Sequence, residues 1–274
     1  MKKRQVSSAV YTKEYYEAHF SGFEEFREHR GKDLLDRLLE LIKSKKNIKI
    51  LDIGCGQGDL AIYFAQRGAH VTGIDYSKDA ITLAKQNLAK QKTEIKDRVL
   101  LVLMDASRVN FPENYFDAVL AVDVFEHLYP EVLEPILKKI STILKKSGEL
   151  LVHTEANKIY LNFTHKWIVY PISSFLIAIN KIFTKKNYPN LSRDPRNDLH
   201  KIQHVNEPTY YYLSNLFKKF KFKGKIYPIV PYKSVLSWKD IVYNILVWFY
   251  PFSKFWPLHL LFAYDYICIM RNNK

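Results

Sequence analysis

An acid followed by three glycines is the strongest chemical signal in this chain of 274 residues. Asp52 ends an apolar run, and Gly54, Gly56 and Gly58 follow it at alternate positions. A second acid, Asp75, ends the next apolar run, 23 residues after the first. Glycines at this spacing let the backbone approach a ligand closely, and an acid at the end of the second strand suits the two hydroxyls of a ribose. The residues therefore predict a site for a nucleoside cofactor.

The elements that must hold these residues are a strand, a turn and a helix. Residues 48–53 read as a buried strand, and residues 60–67 read as a helix whose first N–H groups face the ligand. Dinucleotide folds use the spacing G-x-G-x-x-G, whereas this chain has G-x-G-x-G soon after Asp52. Because a carboxylate there repels a pyrophosphate and attracts an ammonium or a sulfonium, the sequence favours a cationic cofactor.

At this loop the chain resembles the class I S-adenosylmethionine (SAM)-dependent methyltransferases, whose first motif is an acidic glycine loop of this form. Later motifs continue the resemblance in the family's order. They are a third strand ending in Asp105 and Ala106, a fourth strand over residues 116–123, the run Val124-Phe125-Glu126-His127-Leu128, and a turn into a fifth strand over residues 144–152. The match is dense over residues 30–155 and is most similar to the type 11 group, which includes the ubiquinone-biosynthesis O-methyltransferases.

The resemblance implies a Rossmann-like α/β fold. Its seven-stranded sheet is mostly parallel, the last strand is antiparallel, helices cover both faces, and helical aromatic-rich insertions lie near the C-terminus. Strand–helix alternation to about residue 155 also indicates a parallel sheet. The predicted segments are an N-terminal helical cap (1–45), a SAM-binding core (46–155), an aromatic and basic insertion or lid (156–206), a core helix and strand (207–227), a second aromatic insertion (228–262) and a final core strand (263–274).

The resemblance also assigns the cofactor contacts to one edge of the sheet. The candidates are Asp52, Gly54, Cys55, Gly56, Gly58, Asp75, Tyr76, Asp105, Ala106, Asp123 and Val124. Of these, Asp75 would hold the ribose, Asp105 would face the adenine, and Asp123 would lie where strand four opens onto the methyl group. Arg27 or Arg30 could pair with the cofactor carboxylate. A purely structural role is the alternative for each residue.

Three histidines are candidate catalytic bases, because a histidine titrates near neutral pH. His127 follows the fourth strand, and His153 ends the fifth strand at the edge where ligands bind in open α/β folds. His204 precedes the helix that abuts the acceptor pocket in the family. Each could instead be structural. No cluster of His, Cys or Asp has the spacing of metal ligands, so we expect no metal.

Charge and aromatic residues are distributed unevenly along the chain. The formal net charge is +14, of which residues 156–274 contribute +13 together with 26 of the 40 aromatic residues. A helical lid, a surface for peripheral contact with an anionic membrane and an oligomer interface are all compatible with this half. Its apolar run over residues 168–179 is too short to span a bilayer, and the run over residues 241–264 is interrupted by polar residues and prolines. We therefore expect no transmembrane helix.

Other sequence features limit the partners and the compartment. The aromatic residues of the basic half sit among aliphatic ones and form no recognisable RNA module, which argues against nucleic acid. Cys55 and Cys268 are both expected inside the fold, which indicates a reducing compartment. No apolar signal core follows the basic start. We therefore expect a cytoplasmic protein, at the inner membrane face if the membrane interpretation holds.

These observations lead to one functional hypothesis with several alternatives. The hypothesis is transfer of a methyl group from SAM to a small-molecule or lipid-linked acceptor at oxygen, with S-adenosylhomocysteine as product. The acceptor is expected to be partly apolar, and an anionic one would suit the basic half. The alternatives are a glycan or nucleotide-sugar methyltransferase without membrane contact, a non-catalytic SAM-binding partner subunit, and an RNA or protein methyltransferase.

Overall fold

The strands of the described chain form a single mixed sheet. The computed structural model describes residues 6–19, 32–44, 47–184, 190–231 and 238–274. Its strands are β1 (Lys49–Ile53), β2 (His70–Asp75), β3 (Val99–Leu103), β4 (Phe116–Val122), β5 (Leu144–Thr154), β6 (Phe222–Ile229) and β7 (Asp265–Asn272). They lie in the order β3-β2-β1-β4-β5-β7-β6. Strands β1 to β5 pair in parallel, and β7 runs antiparallel to β5 and β6. The predicted fold class is confirmed.

Helices cover both faces of this sheet. The described helices are α1 (Lys13–His19), α2 (Lys32–Ser44), α3 (Asp59–Ala65), α4 (Lys78–Ala89), α5 (Thr93–Lys96), α6 (Pro130–Ile143), α7 (Tyr160–Thr184), α8 (Asp198–Gln203), α9 (Tyr210–Lys219), α10 (Trp238–Trp248) and α11 (His259–Phe262). Helix α7 is π-helical from Tyr160 to Val169 and α-helical from Tyr170 to Thr184. Short 3-10 turns lie at Ala106–Arg108 and Phe125–His127.

The central strand β4 shows how the core is divided between the two faces. Val119 and Ala121 pack in one hydrophobic cluster with α6 and α9. Ala118 and Leu120 point the other way and pack with α2 and α3. Alternate residues of a strand face opposite sides of the sheet, and a parallel sheet covered on both sides is apolar throughout. The loops that follow β1 to β4 are therefore anchored by strands that helices cover on both faces.

The elements of the second half differ in extent from their predicted spans. The helix predicted from residue 207 begins at Tyr210, because the Thr209 hydroxyl accepts a hydrogen bond from the Tyr212 N–H at 3.2 Å and caps it. Strand β6 runs two residues beyond its predicted end at 227. Helices α7 and α8 fall in the first predicted insertion, and α10 and α11 fall in the second. The segment boundaries themselves stay predictions.

By length and composition alone, one helix among the described residues could cross a bilayer, and the expectation of no transmembrane helix stays a prediction. Helix α7 has 25 residues, and its most apolar 18-residue window has a mean hydropathy of 1.4. It is longer than the uncharged run because it continues past Lys166 at one end and Lys181 at the other. Its inner face contacts the domain, since the Thr164 hydroxyl donates to the Leu261 carbonyl at 2.6 Å.

A largely buried ion pair joins α2 to the sheet. Glu149 of β5 is 3% exposed. One of its carboxylate oxygens accepts a hydrogen bond from Arg37 Nε at 2.7 Å, and the other is bonded to the same guanidinium. Arg271 of β7 approaches the carboxylate at 3.5 Å. Glu149 thus has a structural partner in α2.

We expect Arg37→Ala to lower the free energy of unfolding by about 2 kcal/mol, because it removes the main partner of a buried carboxylate. The matched control is Glu40→Ala, since Glu40 is an exposed partner of the same guanidinium at 3.0 Å. Exposed pairs contribute less than about 1 kcal/mol. Urea denaturation measures both variants. Equal losses in the two would show that the buried contact with Glu149 does not carry the stability.

Candidate active site

A cavity of about 460 Å³ lies at the carboxyl ends of β1, β2, β3 and β4. It collects most of the residues predicted to contact a cofactor. Those that line it are Asp52, Gly54, Cys55, Gly56, Asp75, Tyr76, Asp105, Ala106, Asp123 and Val124. Two of the three candidate bases, His127 and His204, line it as well. Gly58 and His153 are not among the lining residues.

The glycine turn fits closely between β2 and the segment after β4. Gly54 has a φ of 70°, and a side chain there would meet the Val124 methyl at 2.6 Å. The Gly54 N–H donates to the Ile74 carbonyl at 2.8 Å. Gly58 has a φ of 85° and lies against Ala84 of α4, where an added Cβ would be 3.2 Å away. Gly58 therefore sets the packing of α4, and Gly54 shapes the cavity wall.

Three carboxylates form the floor of the cavity. Asp52 is 2% exposed, and its Oδ2 has no hydrogen-bond partner among the described residues. Burial, together with the nearby charges of Asp75 and Asp59, raises the pKa of Asp52 to about 8. Burial also raises the pKa of Asp59 to about 6. No Lys or Arg of the described chain lines this cavity, so the floor is suited to a cationic ligand.

Backbone groups hold the second strand-end acid. Asp75 Oδ1 accepts a hydrogen bond from the Ser77 N–H at 2.8 Å, and Oδ2 accepts one from the Gly56 N–H at 3.0 Å. Burial raises the pKa of Asp75 above its usual value, although these hydrogen bonds act in the opposite direction. Each oxygen keeps lone-pair capacity for a further donor such as a ribose hydroxyl.

Aromatic rings from the start of the chain cover one side of the cavity. Tyr11, Tyr15 and Tyr16 line it, and the first two rings pack edge to face with centroids 5.3 Å apart. Tyr11 also contacts Tyr76 at 5.8 Å. None of these three tyrosines was predicted as a site residue. Two of them follow Tyr11 by four and five residues, and this cluster just before the core is the signal that could have identified them. Arg27 and Arg30 lie outside the described residues.

Two candidate bases meet where α8 ends. The rings of His127 and His204 are 5.0 Å apart between centroids. Burial, and the repulsion that His127 and His200 would exert when protonated, lower the pKa of His204 to about 3. Burial lowers the pKa of His127 too, while the Gln203 carbonyl, 3.1 Å from its Nδ1, opposes that shift. Both imidazoles are therefore neutral at pH 7, and His204 Nδ1 has no partner among the described residues.

His153 has a different position from the one expected for a base. It is fully buried in β5, and its Nδ1 is hydrogen-bonded to Asp123 Oδ1. Its Nε2 lies 3.8 Å from Asp265 Oδ2 in β7. Burial alone would lower the pKa of His153, but the two carboxylates raise it well above its usual value. His153 therefore lies behind Asp123 and outside the cavity lining, and its role as a base stays a prediction.

Asp123 carries a strained backbone at the cavity wall. Its φ is 54°, in the left-handed region that non-glycine residues seldom adopt. Such strain persists only where the surroundings fix it, and it clusters at functional sites. Two further acids, Glu126 and Glu155, line the cavity near Asp123. Glu126 is 1% exposed, accepts a hydrogen bond from the Thr154 hydroxyl at 2.9 Å, and has its pKa raised by burial.

Known proteins match the part of the chain that builds this cavity. Residues 50–148 match the methyltransferase domain family. Over 106 residues the chain is 35% identical to the ubiquinone biosynthesis O-methyltransferase of Aeromonas salmonicida, covering 39% of this chain and 42% of that protein. This part of the chain is a class I SAM-dependent methyltransferase domain. The family predicted from the sequence is thereby confirmed, and SAM is its cofactor.

Two further comparisons agree with this assignment. Over 123 residues the chain is 30% identical to the phosphoethanolamine N-methyltransferase of Plasmodium falciparum, covering 44% of each protein. A solved SAM-dependent methyltransferase from Archaeoglobus fulgidus has the same fold, with a TM-score of 0.53 and 20% identity over 92% of this chain and 99% of that one. The chain spans less than half the length of the two curated relatives.

The residues of this methyltransferase cavity fit SAM. The unpartnered Oδ2 of Asp52 lies on an acidic floor that suits the ammonium of the methionyl part. Asp75 suits the ribose, and Tyr76 and Asp105 line the same cavity, where their contact with the adenine stays a prediction. Asp105 keeps its own turn in place, because its Oδ1 accepts a hydrogen bond from the Ser107 N–H at 2.7 Å.

We expect Asp52→Asn to change the pH dependence of stability. The folded-state pKa of Asp52, about 8, exceeds its unfolded value of about 4, so the native state binds more protons in this window. The free energy of unfolding therefore falls as pH rises from about 4 to 8. The variant lacks this titration, so its stability relative to wild type should rise between pH 5 and pH 8.

Urea unfolding of the cofactor-free protein at both pH values measures this difference. Asp97→Asn is the matched control, because Asp97 is exposed and distant from the cavity lining. Its difference from wild type should stay constant with pH. A constant difference for Asp52→Asn as well would contradict the raised pKa of the buried carboxyl group.

Proposed function

We propose that this protein transfers a methyl group from SAM to a hydroxyl of a small-molecule or lipid-linked acceptor, leaving S-adenosylhomocysteine. The observation that carries the proposal is one cavity holding a buried carboxylate floor and two neutral histidines. Bound SAM supplies an electrophilic methyl group on its sulfonium. The protein then has to align the acceptor and, for a hydroxyl, receive a proton.

The chain offers separate residues for holding the cofactor and for meeting the acceptor. Asp52 and Asp75 bind the ammonium and the ribose hydroxyls. Asp123 and Val124 border the methyl position, with Asp123 held by His153. His204 lines the cavity, and its buried Nδ1, which has no partner among the described residues, would accept a hydrogen bond from the acceptor hydroxyl. These roles separate binding from transfer.

The pKa of His204 bears on the kind of hydroxyl. An imidazole with a pKa of about 3 is a weak base, so it cannot readily take the proton of an ordinary alcohol. A phenol, whose pKa is about 10, loses its proton more readily than an alcohol, so a weaker base can accept it. The similarity to an O-methyltransferase of ubiquinone biosynthesis supports transfer to oxygen. A phenolic acceptor with an apolar part is the best candidate.

The cavity does not favour the anionic acceptor expected from the net charge. Asp123, Glu126 and Glu155 line it, and no Lys or Arg of the described chain joins them. An acceptor carrying a negative charge would be repelled there. Leu128 and Met104 add apolar surface to the same lining. We therefore propose an uncharged acceptor.

An amine is the second candidate acceptor. The same acids would attract an ammonium group and take part in its deprotonation. The similarity to a phosphoethanolamine N-methyltransferase supports this candidate. Paired phenolic and amine acceptors with equal apolar groups separate the two candidates, since the product mass identifies the methylated compound.

We expect SAM and S-adenosylhomocysteine to bind the wild-type protein with micromolar affinity. Asp75→Asn should weaken that affinity by about 10- to 100-fold, because it replaces a charged acceptor of the ribose hydroxyls. Calorimetry measures both proteins, with Asp97→Asn as a control that retains wild-type affinity. A folded wild type that binds neither ligand would overturn the proposed function.

We expect His204→Gln to lower kcat for a phenolic acceptor by about 100-fold, the lower range for loss of a general base. Affinity for SAM should stay within about twofold, because His204 meets the acceptor side. His70→Gln is the control, since His70 lies at the start of β2, outside the cavity lining. An unchanged pH profile and kcat in His204→Gln would assign proton removal to solvent or to another group.

A further inference from the structure

We propose that the outer face of α7, α10 and residues 249–256 docks on an anionic lipid bilayer as a monotopic surface. We call these residues the docking face. The inference goes beyond methyl transfer, because it concerns a surface that is separate from the cofactor cavity. Its occupant is the interfacial region of a membrane rich in acidic phospholipid.

Large apolar side chains are concentrated on the docking face. Among the described residues, 20 large hydrophobic side chains are exposed, and 14 of them lie here. Those of α7 are Phe163, Trp167, Phe175, Ile179, Ile182 and Phe183. The others are Ile241, Val242, Ile245, Leu246, Phe249, Phe252, Phe255 and Trp256. Apolar surface gathered in this way marks an interaction site, whereas single exposed residues do not.

The two helices form one surface. The Ser173 hydroxyl of α7 and the Tyr243 hydroxyl of α10 are 3.5 Å apart. Val169 and Val247 share a buried cluster beneath the exposed side chains. Both helices therefore have an inner face that packs on the domain and an outer face that does not. An amphipathic helix held this way lies in the membrane interface, with its apolar side towards the acyl chains.

Charge complementarity favours an anionic bilayer as the occupant. Residues 156–193 and 241–264 contain no Asp or Glu. Lys166, Lys181 and Lys254 are exposed within the docking face. Arg193 lies over the Trp167 ring at 4.7 Å, and Lys254 lies 4.5 Å from the Tyr250 ring centroid. Basic and aromatic residues occur together at membrane interfaces, whereas a second copy would bring like charges together.

Contacts from α7 favour docking over a crossing of the membrane. His165 Nε2 lies 3.0 Å from the Ser192 carbonyl oxygen, and Thr164 is bonded to the Leu261 carbonyl. A helix that crossed the bilayer would have to break both polar contacts and leave the buried cluster with α10. Polar groups freed in the acyl region would stay unsatisfied, at a cost of several kcal/mol each.

The docking face is linked to the acceptor end of the cavity, a point that rests on the proposed function. Helix α7 begins five residues after Glu155, which lines the cavity. Arg196 donates hydrogen bonds to Asn162 at 2.7 Å and to Glu207 at 2.8 Å. It thereby ties α7 to the segment that carries His204. A lipid-linked acceptor would approach along this connection.

Co-sedimentation of the full chain with vesicles tests the proposal. The vesicles contain phosphatidylcholine with or without phosphatidylglycerol. We expect binding to the anionic vesicles at least about tenfold stronger than to the neutral ones, and weaker binding at high salt. Extraction at alkaline pH should release the protein, as for a peripheral protein. Absence of vesicle binding, or resistance to extraction, would overturn the proposal.

A matched pair of variants locates the contact. Phe175→Ser with Phe183→Ser should lower vesicle affinity by about tenfold or more, because two exposed rings no longer enter the bilayer. Leu100→Ser with Leu103→Ser is the control, since both leucines are more than half exposed at the β3 edge of the sheet. The control should keep full vesicle binding. Equal loss in both variants would contradict the assigned face.

A separate measurement of SAM binding distinguishes a failure of the docking proposal from a failure of the proposed function. Calorimetry with SAM should give wild-type affinity for both double variants, which also shows that they are folded. Vesicle binding without SAM binding would leave docking intact and overturn the methyltransferase activity. A dimer in analytical ultracentrifugation that Phe175→Ser with Phe183→Ser abolishes, with no vesicle binding by wild type, would assign the face to a second copy.

Discussion

Burial of carboxylates at the ends of neighbouring strands is the constraint on which the site depends. Asp52 lies one residue before the end of β1 and Asp75 ends the adjacent parallel strand β2, where the sheet and its helices exclude water. Backbone N–H groups of the glycine turn and of Ser77 hold Asp75, and no basic side chain of the described lining neutralises Asp52. Under the proposed function, the cationic end of the cofactor would supply the missing charge and favour the ionised form of Asp52. Burial of Asp52 therefore lowers the stability of the cofactor-free protein, whereas it would favour the binding of a cationic ligand.

A second set of buried charges organises the opposite wall. His153 lies between Asp123 and Asp265, so a histidine of β5 connects the end of β4 with the first residue of β7. The positive imidazolium compensates two carboxylates at once, and it holds Asp123 against its strained backbone. The last strand, though far from the glycine loop in sequence, thus shapes the side of the cavity that Asp123 lines.

The sequence predicted the features that local pattern encodes. Alternation of strands and helices indicated the sheet, and acids at strand ends located Asp52, Asp75 and Asp105 at one edge. The environment of His153 depends on Asp265, more than 100 residues later in the chain, so no local pattern could predict it. The length of α7 was missed because charged residues interrupt its apolar run. Lys166 and Lys181 are nevertheless exposed on the helix, where their charges stay in water.

Charge is divided between the two halves in a way that assigns them different tasks. Acids line the cavity, whereas the docking face carries lysines and no exposed acid among its described residues. An anionic acceptor would be attracted to the outside of the molecule and repelled from the reaction site. An uncharged acceptor with an apolar group would be neither held at the basic surface nor repelled from the acidic cavity. An anionic bilayer that contains this acceptor would be attracted to the lysines. Under the two proposals, the basic charge would serve docking, while the fit of the acceptor would depend on its neutrality and its apolar contacts.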